Sequence, residues 1–328
     1  ITPEAVRRAR ARGPSLTGNA YSNFGAAAGA GRLLALSEEK MLHALGLAGH
    51  LCMVLSYGRW GATEQRYMAK YGVPGWQSTG AVAAVTLAEM GYTGDVTVLD
   101  DPERGFCNYV GYKHWYPEEV TPKLGRAWCF NVRLHYKPYP CCGAFHCGLD
   151  CFLDAVQQNR LAIEEIDAVR VFAGPDTRSP FAAHREIQGL SGAQFNPYYN
   201  VAVAAHGTPR GVEWADPGTL ASPSIARFMD KVSWQGHPNY LDQLEKDPLT
   251  NLARAEVEAR GKTFTVERRH RRGTAGTEAQ RTDEEIIDKF KHNALRALTR
   301  EQIDRAVDTL MNLESVDGIA QLMQAVTL

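Results

Sequence analysis

The chain has 328 residues, 44% hydrophobic and 22% charged, with 36 Lys plus Arg against 37 Asp plus Glu and a formal net charge of −1. Such a composition belongs to a globular chain with enough apolar residues for a buried core, in one or two domains of ~150 residues. Balanced charge leaves no footprint for nucleic acid or an acidic membrane as main partner, and no run approaches the ~18 apolar residues that span a bilayer.

The chain opens on the arginine-rich ITPEAVRRARAR, with no apolar run behind it, so no secretory signal is read. It starts at Ile1, so these residues need not be a whole gene product. Seven cysteines, an odd count, are read as mostly free thiols of a reducing cytoplasm. The first 130 residues read as helices. Leu33, Leu34, Leu36, Leu42, Leu45 and Leu47 recur at roughly helical spacing. Ser37 followed by Glu38 and Glu39 is a helix start, since the hydroxyl caps free N–H groups and the acids meet the positive helix end. Ala and Gly crowd this half, and small residues let helices approach closely. GAVAAVTLAEMGYTG (80–94) continues the style and closes at Gly91. The GAG at 29–31 is no dinucleotide loop, because no strand precedes it and the third glycine is missing.

Near residue 129 the pattern changes. CFNVRLH alternates like a strand. Residues 145–156 return to a helix, with Phe145, Leu149, Phe152, Leu153 and Val156 on one stripe. Strands are predicted at 167–174, 230–234, 254–260 and 262–267, the last two forming a hairpin through Gly261. ERRHRRG (267–273) is read as a solvated turn. Thr282 with Glu285 and Thr299 with Gln302 match capping boxes, each opening a helix. The order predicts an α+β protein: a large helical domain built from both chain ends, 1–132 and 282–328, with a smaller α+β domain, 133–281, inserted.

Four cysteines and His146 fall within the eleven positions 141–151. Zinc sites want separated pairs, whereas Cys141 and Cys142 are adjacent and Cys147 and Cys151 lie one helical turn apart. The expectation is buried, inert thiols and no metal. Lys137 precedes Pro138, and Tyr139 precedes Pro140, so both are pushed to extended geometry. A lysine on stiff backbone beside a helix start that attracts anions suits acid–base work; a surface lysine snorkelling at a domain edge is the equal alternative. Lys70 precedes Gly72, Pro74 and Gly75, read as a tight loop leading into a helix, which makes it a candidate carboxylate binder beside the plainer reading of a solvated lysine. Tyr199 precedes an apolar helix, and core packing with a satisfied hydroxyl is its plainer reading.

Several stretches together resemble one family. KPYPCCGAFHCGLD is similar to the KPYPCCRxxHxxID motif of the MmgE/PrpD proteins. AQFNPYYNVAVA, YSNFGAAAGAGRLLALSEEKMLHALGLAG, GAVAAVTLAEMGYTGDVTVLDDPERGF and the C-terminal LTRE…IDRAVDTLMNLESVDGIAQLM resemble further family segments, so the likeness covers nearly the whole chain. Family activities include dehydration of 2-methylcitrate, decarboxylation of cis-aconitate and epimerisation of iminodisuccinate. The resemblance implies a large helical domain with a smaller α+β lid, a homodimer, no metal or organic cofactor, and small di- or tricarboxylate substrates. It matches Lys137 to the KPYP acid–base lysine, His146 to the motif's histidine, Lys70 to a substrate-binding lysine, Tyr199 to the AQF tyrosine and Tyr21 to an acid–base tyrosine of the epimerase branch; the expected catalytic partner of Lys137 is Tyr21 for an epimerase and Tyr199 or His146 for a hydro-lyase. A free lysine has pKa ~10.4, so a base role calls for partial burial or a second cation such as Lys70.

Three departures stand out. Gly143 replaces the motif's arginine and removes a positive group. Leu16 stands where the decarboxylase branch carries a histidine, which counts against decarboxylation. The long N-terminal helical segment of family chains, with an Asp and a His of the usual pocket, is not in this sequence. It is trimmed, supplied by another polypeptide, or lost along with the activity. The leading expectation is therefore proton abstraction next to a carboxylate, ending in loss of water or return of the proton to the other face. The alternatives are an inactive, binding-only member, a decarboxylase-like lyase, and a metal enzyme built on the cysteines.

Overall fold

The computed structural model describes residues 21–52, 67–110, 121–122, 124–128, 134–174 and 185–327. Leu16 and most of the CFNVRLH stretch lie outside them. The chain divides into two compact units, Ile1–Trp128 and Cys129–Leu328.

Among the described residues the longer helices of the first unit are α1 (Ser22–Leu33), α2 (Glu38–His50) and α3 (Ala69–Glu89). Ser37 caps α2 as expected, its hydroxyl accepting from the Lys40 N–H. The core between these helices is made of small residues, with Ala27, Ala44, Ala48, Ala81, Ala84 and Ala88 all buried. The leucine stripe is split: Leu36, Leu45 and Leu47 pack against this core, whereas Leu33, Leu34 and Leu42 are exposed. Backbones meet instead. A Cβ on Gly46 would lie 2.5 Å from the Asp95 carbonyl oxygen, and one on Gly80 would lie 2.8 Å from that of Leu51. The tight loop expected at Gly72–Gly75 is instead the first part of α3, which carries Pro74 in its interior. Burial of Gln77, Gly80, Ala81, Ala84, Val85 and Ala88 along the same helix outweighs the one backbone bond that proline removes. The predicted stop at Gly91 holds, at φ +97°.

The second unit carries a four-stranded mixed sheet in the order β2 (Val232–Gln235), β1 (Ile166–Ala173), β3 (Ala253–Ala259), β4 (Lys262–Arg268). β1 runs parallel to β2 and antiparallel to β3. The β3–β4 hairpin turns on Arg260 and Gly261 at φ 54° and 69°, both positive as a two-residue turn of this twist requires. Alternate residues Ala253, Ala255, Val257 and Ala259 of β3 are buried, while Arg170 bridges Glu256 and Glu258 at 3.1 and 2.6 Å on the wetter face. Helix α4 (His146–Gln158) packs on this sheet, and α5 (Pro197–Ala205) packs in turn on α4. Only one stripe of α4 was expected to be buried, yet Asp150 and Asp154 are buried too. Arginines of the 267–273 run account for this, as shown below.

Capping boxes open α6 (Asp283–Ala294) and α7 (Arg300–Met311) as predicted; α8 (Ile319–Val326) packs on α7. These C-terminal helices fall in one compact unit with the α+β block, whereas the sequence reading joined 282–328 to 1–132. His292 of α6 pairs with Glu213 at 3.0 Å, and Arg296, just past the end of α6, with Asp216 at 2.9 Å, both within the second unit. Among the described residues no helix is long and apolar enough to cross a membrane.

Candidate functional site

The segment that carries Lys137 is held at both ends. Tyr136 N–H donates to the Gly273 carbonyl at 2.8 Å, and Ala275 N–H to the Leu134 carbonyl at 3.1 Å. Gly273 sits at φ +92°, and a Cβ there would stand 1.9 Å from the Tyr136 carbonyl oxygen, so only glycine fits. Downstream, Tyr139 is buried, stacks on Trp214 at 5.9 Å and donates its hydroxyl to Asp150 at 2.7 Å. Burial pushes that hydroxyl far above the ordinary tyrosine range, so it stays protonated and donates. Lys289 Nζ donates to the Lys137 carbonyl at 2.6 Å. Pro138 and Lys289 also line a cavity of about 240 Å³ together with Arg210, Arg281 and His292.

Three basic groups converge on residues 141–143. Lys137 is exposed rather than partly buried, and its ammonium donates to the Cys141 carbonyl at 3.3 Å. The same oxygen lies 3.4 Å from His146 Nε2. Arg271 Nη1 donates to the Gly143 carbonyl at 2.6 Å. A Cβ on Gly143 would lie 2.6 Å from Arg271 Nη1 and 3.7 Å from Lys137 Cε, so both cations border the space that this glycine leaves open.

His146 is fully buried, and its Nδ1 has no partner among the described residues. Burial first, then Arg271, and further Lys137 and Lys289, push its pKa from 6.5 down to about 3. Burial also lowers Arg271, and burial with Arg281 and Lys137 lowers Lys289. His146 is therefore neutral at pH 7 and has no imidazolium proton to give. The depression has a consequence for stability. Between pH 6.5 and about 3 the unfolded chain takes up a proton that the native chain refuses, so stability is full above 6.5 and falls as pH drops. The expected slope from this one group is at most about 1.4 kcal/mol per pH unit. Urea unfolding at pH 7 and pH 5 checks it: the parent is expected to lose more stability over that interval than His146→Gln. Equal losses would show that His146 is not held neutral.

The other candidates fall elsewhere. Tyr199 lies within α5 rather than before it. It is buried, donates its hydroxyl to the Trp214 carbonyl, and has its pKa pushed up to about 12 by burial. That geometry is core packing. Tyr21 and Lys70 belong to the first unit. Tyr21 is exposed at the N-cap of α1, and Lys70 is half-buried in the first turn of α3. Of the five residues, only Lys137 and His146 are brought together within the second unit.

The 267–273 run is not a solvated turn. Arg268 pairs with Asp154, and Arg272 pairs with both Asp154 and Asp150. His270 is gripped between Asp247 at 2.6 Å and Glu278 at 2.8 Å. Asp150 and Asp154, one turn apart on α4, draw these side chains inward. Sequence reasoning missed Arg271 and Lys289 beside Lys137. One signal was present: a glycine where the motif otherwise places an arginine.

The six described cysteines form no disulfide. Cys147 Sγ lies 3.6 Å from the Arg268 carbonyl, and Cys151 Sγ 3.2 Å from that of Ala253. Burial pushes the Cys141 thiol well up, and the Cys151 contact with burial does the same to Cys147. The Cys141 and Cys147 thiols stay protonated and pack. Among the described residues no group of three or more His, Cys, Asp or Glu side chains could hold a metal ion.

Residues 139–313 match the family model described as the MmgE/PrpD C-terminal domain, and residues 4–117 match that of the MmgE/PrpD N-terminal domain. A cis-aconitate decarboxylase-like protein of Aspergillus oryzae is 23% identical over 331 residues, which is 95% of this chain and 64% of the relative. The chain thus spans less than two thirds of that relative's length.

Proposed function

The chain belongs to the MmgE/PrpD family, and on that basis we propose that it is a cofactor-independent acid–base enzyme acting on small di- or tricarboxylates. The supporting observation is the cluster at residues 141–143, where Lys137 and Arg271 border one space and no acidic side chain of the described residues pairs with either. An anion completes such a cluster.

Lys137 takes the proton from the carbon next to a substrate carboxylate, and the electron pair spreads onto that carboxylate. The cations stabilise the charge as it develops. The Lys137 ammonium so formed then protonates the hydroxyl on the neighbouring carbon, which leaves as water, as in a hydro-lyase, or a partner group gives a proton to the opposite face, as in an epimerase. Tyr21 is the proposed partner for the epimerase outcome. His146, neutral and buried, serves better as a positioning group than as a proton donor. Lys70 is carried as a further carboxylate binder, and the active form as a homodimer.

The name of the relative favours a second reading, a decarboxylase-like lyase. One experiment separates them: incubation of the full-length protein in deuterated water with a panel of di- and tricarboxylates, followed by NMR and carbon dioxide release. The proposal expects deuterium next to a carboxylate, with dehydration or epimerisation. Carbon dioxide without such exchange supports the second reading. Neither change across the panel supports an inactive, binding-only protein.

A further inference from the structure

We infer that Arg271 is the carboxylate-binding residue of this site, and that Gly143 is the position that admits its guanidinium beside Lys137. The inference deepens the acid–base reading above and rests on it for the class of ligand, a small di- or tricarboxylate.

Its neighbours in sequence set Arg271 apart. Arg268 and Arg272 are paired with Asp154 and Asp150, His270 lies between Asp247 and Glu278, and Arg269 is exposed to solvent. Arg271 has no such partner: among the described residues its guanidinium bonds to the Gly143 carbonyl alone. A guanidinium carries five N–H donors in a rigid fork matched to a carboxylate. One bond to a carbonyl leaves most of that fork open to an anion.

The room for it is made locally. A Cβ on Gly143 would stand 2.6 Å from Arg271 Nη1, so any other residue displaces the guanidinium. With glycine there, Arg271 Nη1 and Lys137 Cε flank one point at 2.6 and 3.7 Å, close enough for one small polyanion to meet both. The positive group missing from position 143 is thus supplied from 128 residues away.

Calorimetric titration of the full chain with tricarballylate is the test, because this tricarboxylate has no hydroxyl to lose. Arg271→Ala is expected to weaken binding about tenfold to hundredfold, the usual worth of a charge-assisted bond. Arg271→Lys should fall in between, since a point charge cannot fork. Gly143→Ala should weaken binding in the same direction and, because it moves only the tip of a flexible side chain, decides the matter if Arg271→Ala does not fold. Affinity within about twofold of the parent in a folded Arg271→Ala, or in Gly143→Ala, overturns the inference; so does a parent that does not bind tricarballylate. Failure of the acid–base reading looks different: Arg271-dependent binding persists, but no substrate exchanges its proton.

Discussion

Replacing Lys137 by Met is expected to slow turnover by ~10²–10⁴, the usual worth of a positioned acid–base group, with folding nearly unchanged. Methionine keeps most of the stem and removes the ammonium. The segment around it does not depend on that ammonium: Tyr136 and Leu134 are tied to residues 273–275 through backbone atoms, and Tyr139 is anchored on Asp150. The bond lost is the one from the ammonium to the Cys141 carbonyl, at 3.3 Å. A small stability change beside a large fall in kcat would assign the loss to chemistry. Because Arg271 remains, tricarballylate should still bind. Near-normal turnover by Lys137→Met on the true substrate would reduce Lys137 to a structural residue, and loss of binding together with turnover would recast it as a substrate anchor.

Removal of the Asp150 carboxylate should have the largest effect on stability. Asp150 is fully buried and accepts from the Tyr139 hydroxyl at 2.7 Å, the Arg272 N–H at 2.7 Å and Arg272 Nη1 at 3.4 Å. Burial pushes its carboxyl up from the ordinary range, and the bonds from Arg272 and Tyr139 oppose that push. Asp150→Ala leaves a buried hydroxyl and part of a guanidinium without partners. The expected cost is about 3–5 kcal/mol, a large share of the ~5–15 kcal/mol that holds a typical domain together. Urea unfolding followed by tryptophan fluorescence measures it. The paired change Asp150→Leu with Arg272→Met should cost less than the sum of the single changes, because no charge is then left unmatched. A cost below about 1 kcal/mol for Asp150→Ala would mean that water reaches the site and that the network is not the anchor of the Lys137 turn.

Much of the fold was legible wherever the deciding interaction spans a few residues. Ser37, Thr282 and Thr299 cap the helices that follow them, because a hydroxyl and an N–H three positions on meet whenever the chain turns into a helix. Gly261 turns the hairpin between the two strands read from the sequence, a consequence of turn geometry alone. The family likewise needed no coordinates.

Long-range pairing decided the rest. Gly72–Gly75 carries every local mark of a loop, yet it is helical because burial further along α3 outweighs those marks. The 267–273 run reads as solvent-facing, but two acids on α4, more than a hundred residues earlier, draw it inward. Arg271 shows the division most clearly. Sequence could show that position 143 lacks a side chain; it could not show which distant side chain fills the space. That depended on the sheet bringing residue 271 back against the turn at 141–143, a meeting across 128 residues that no local propensity encodes.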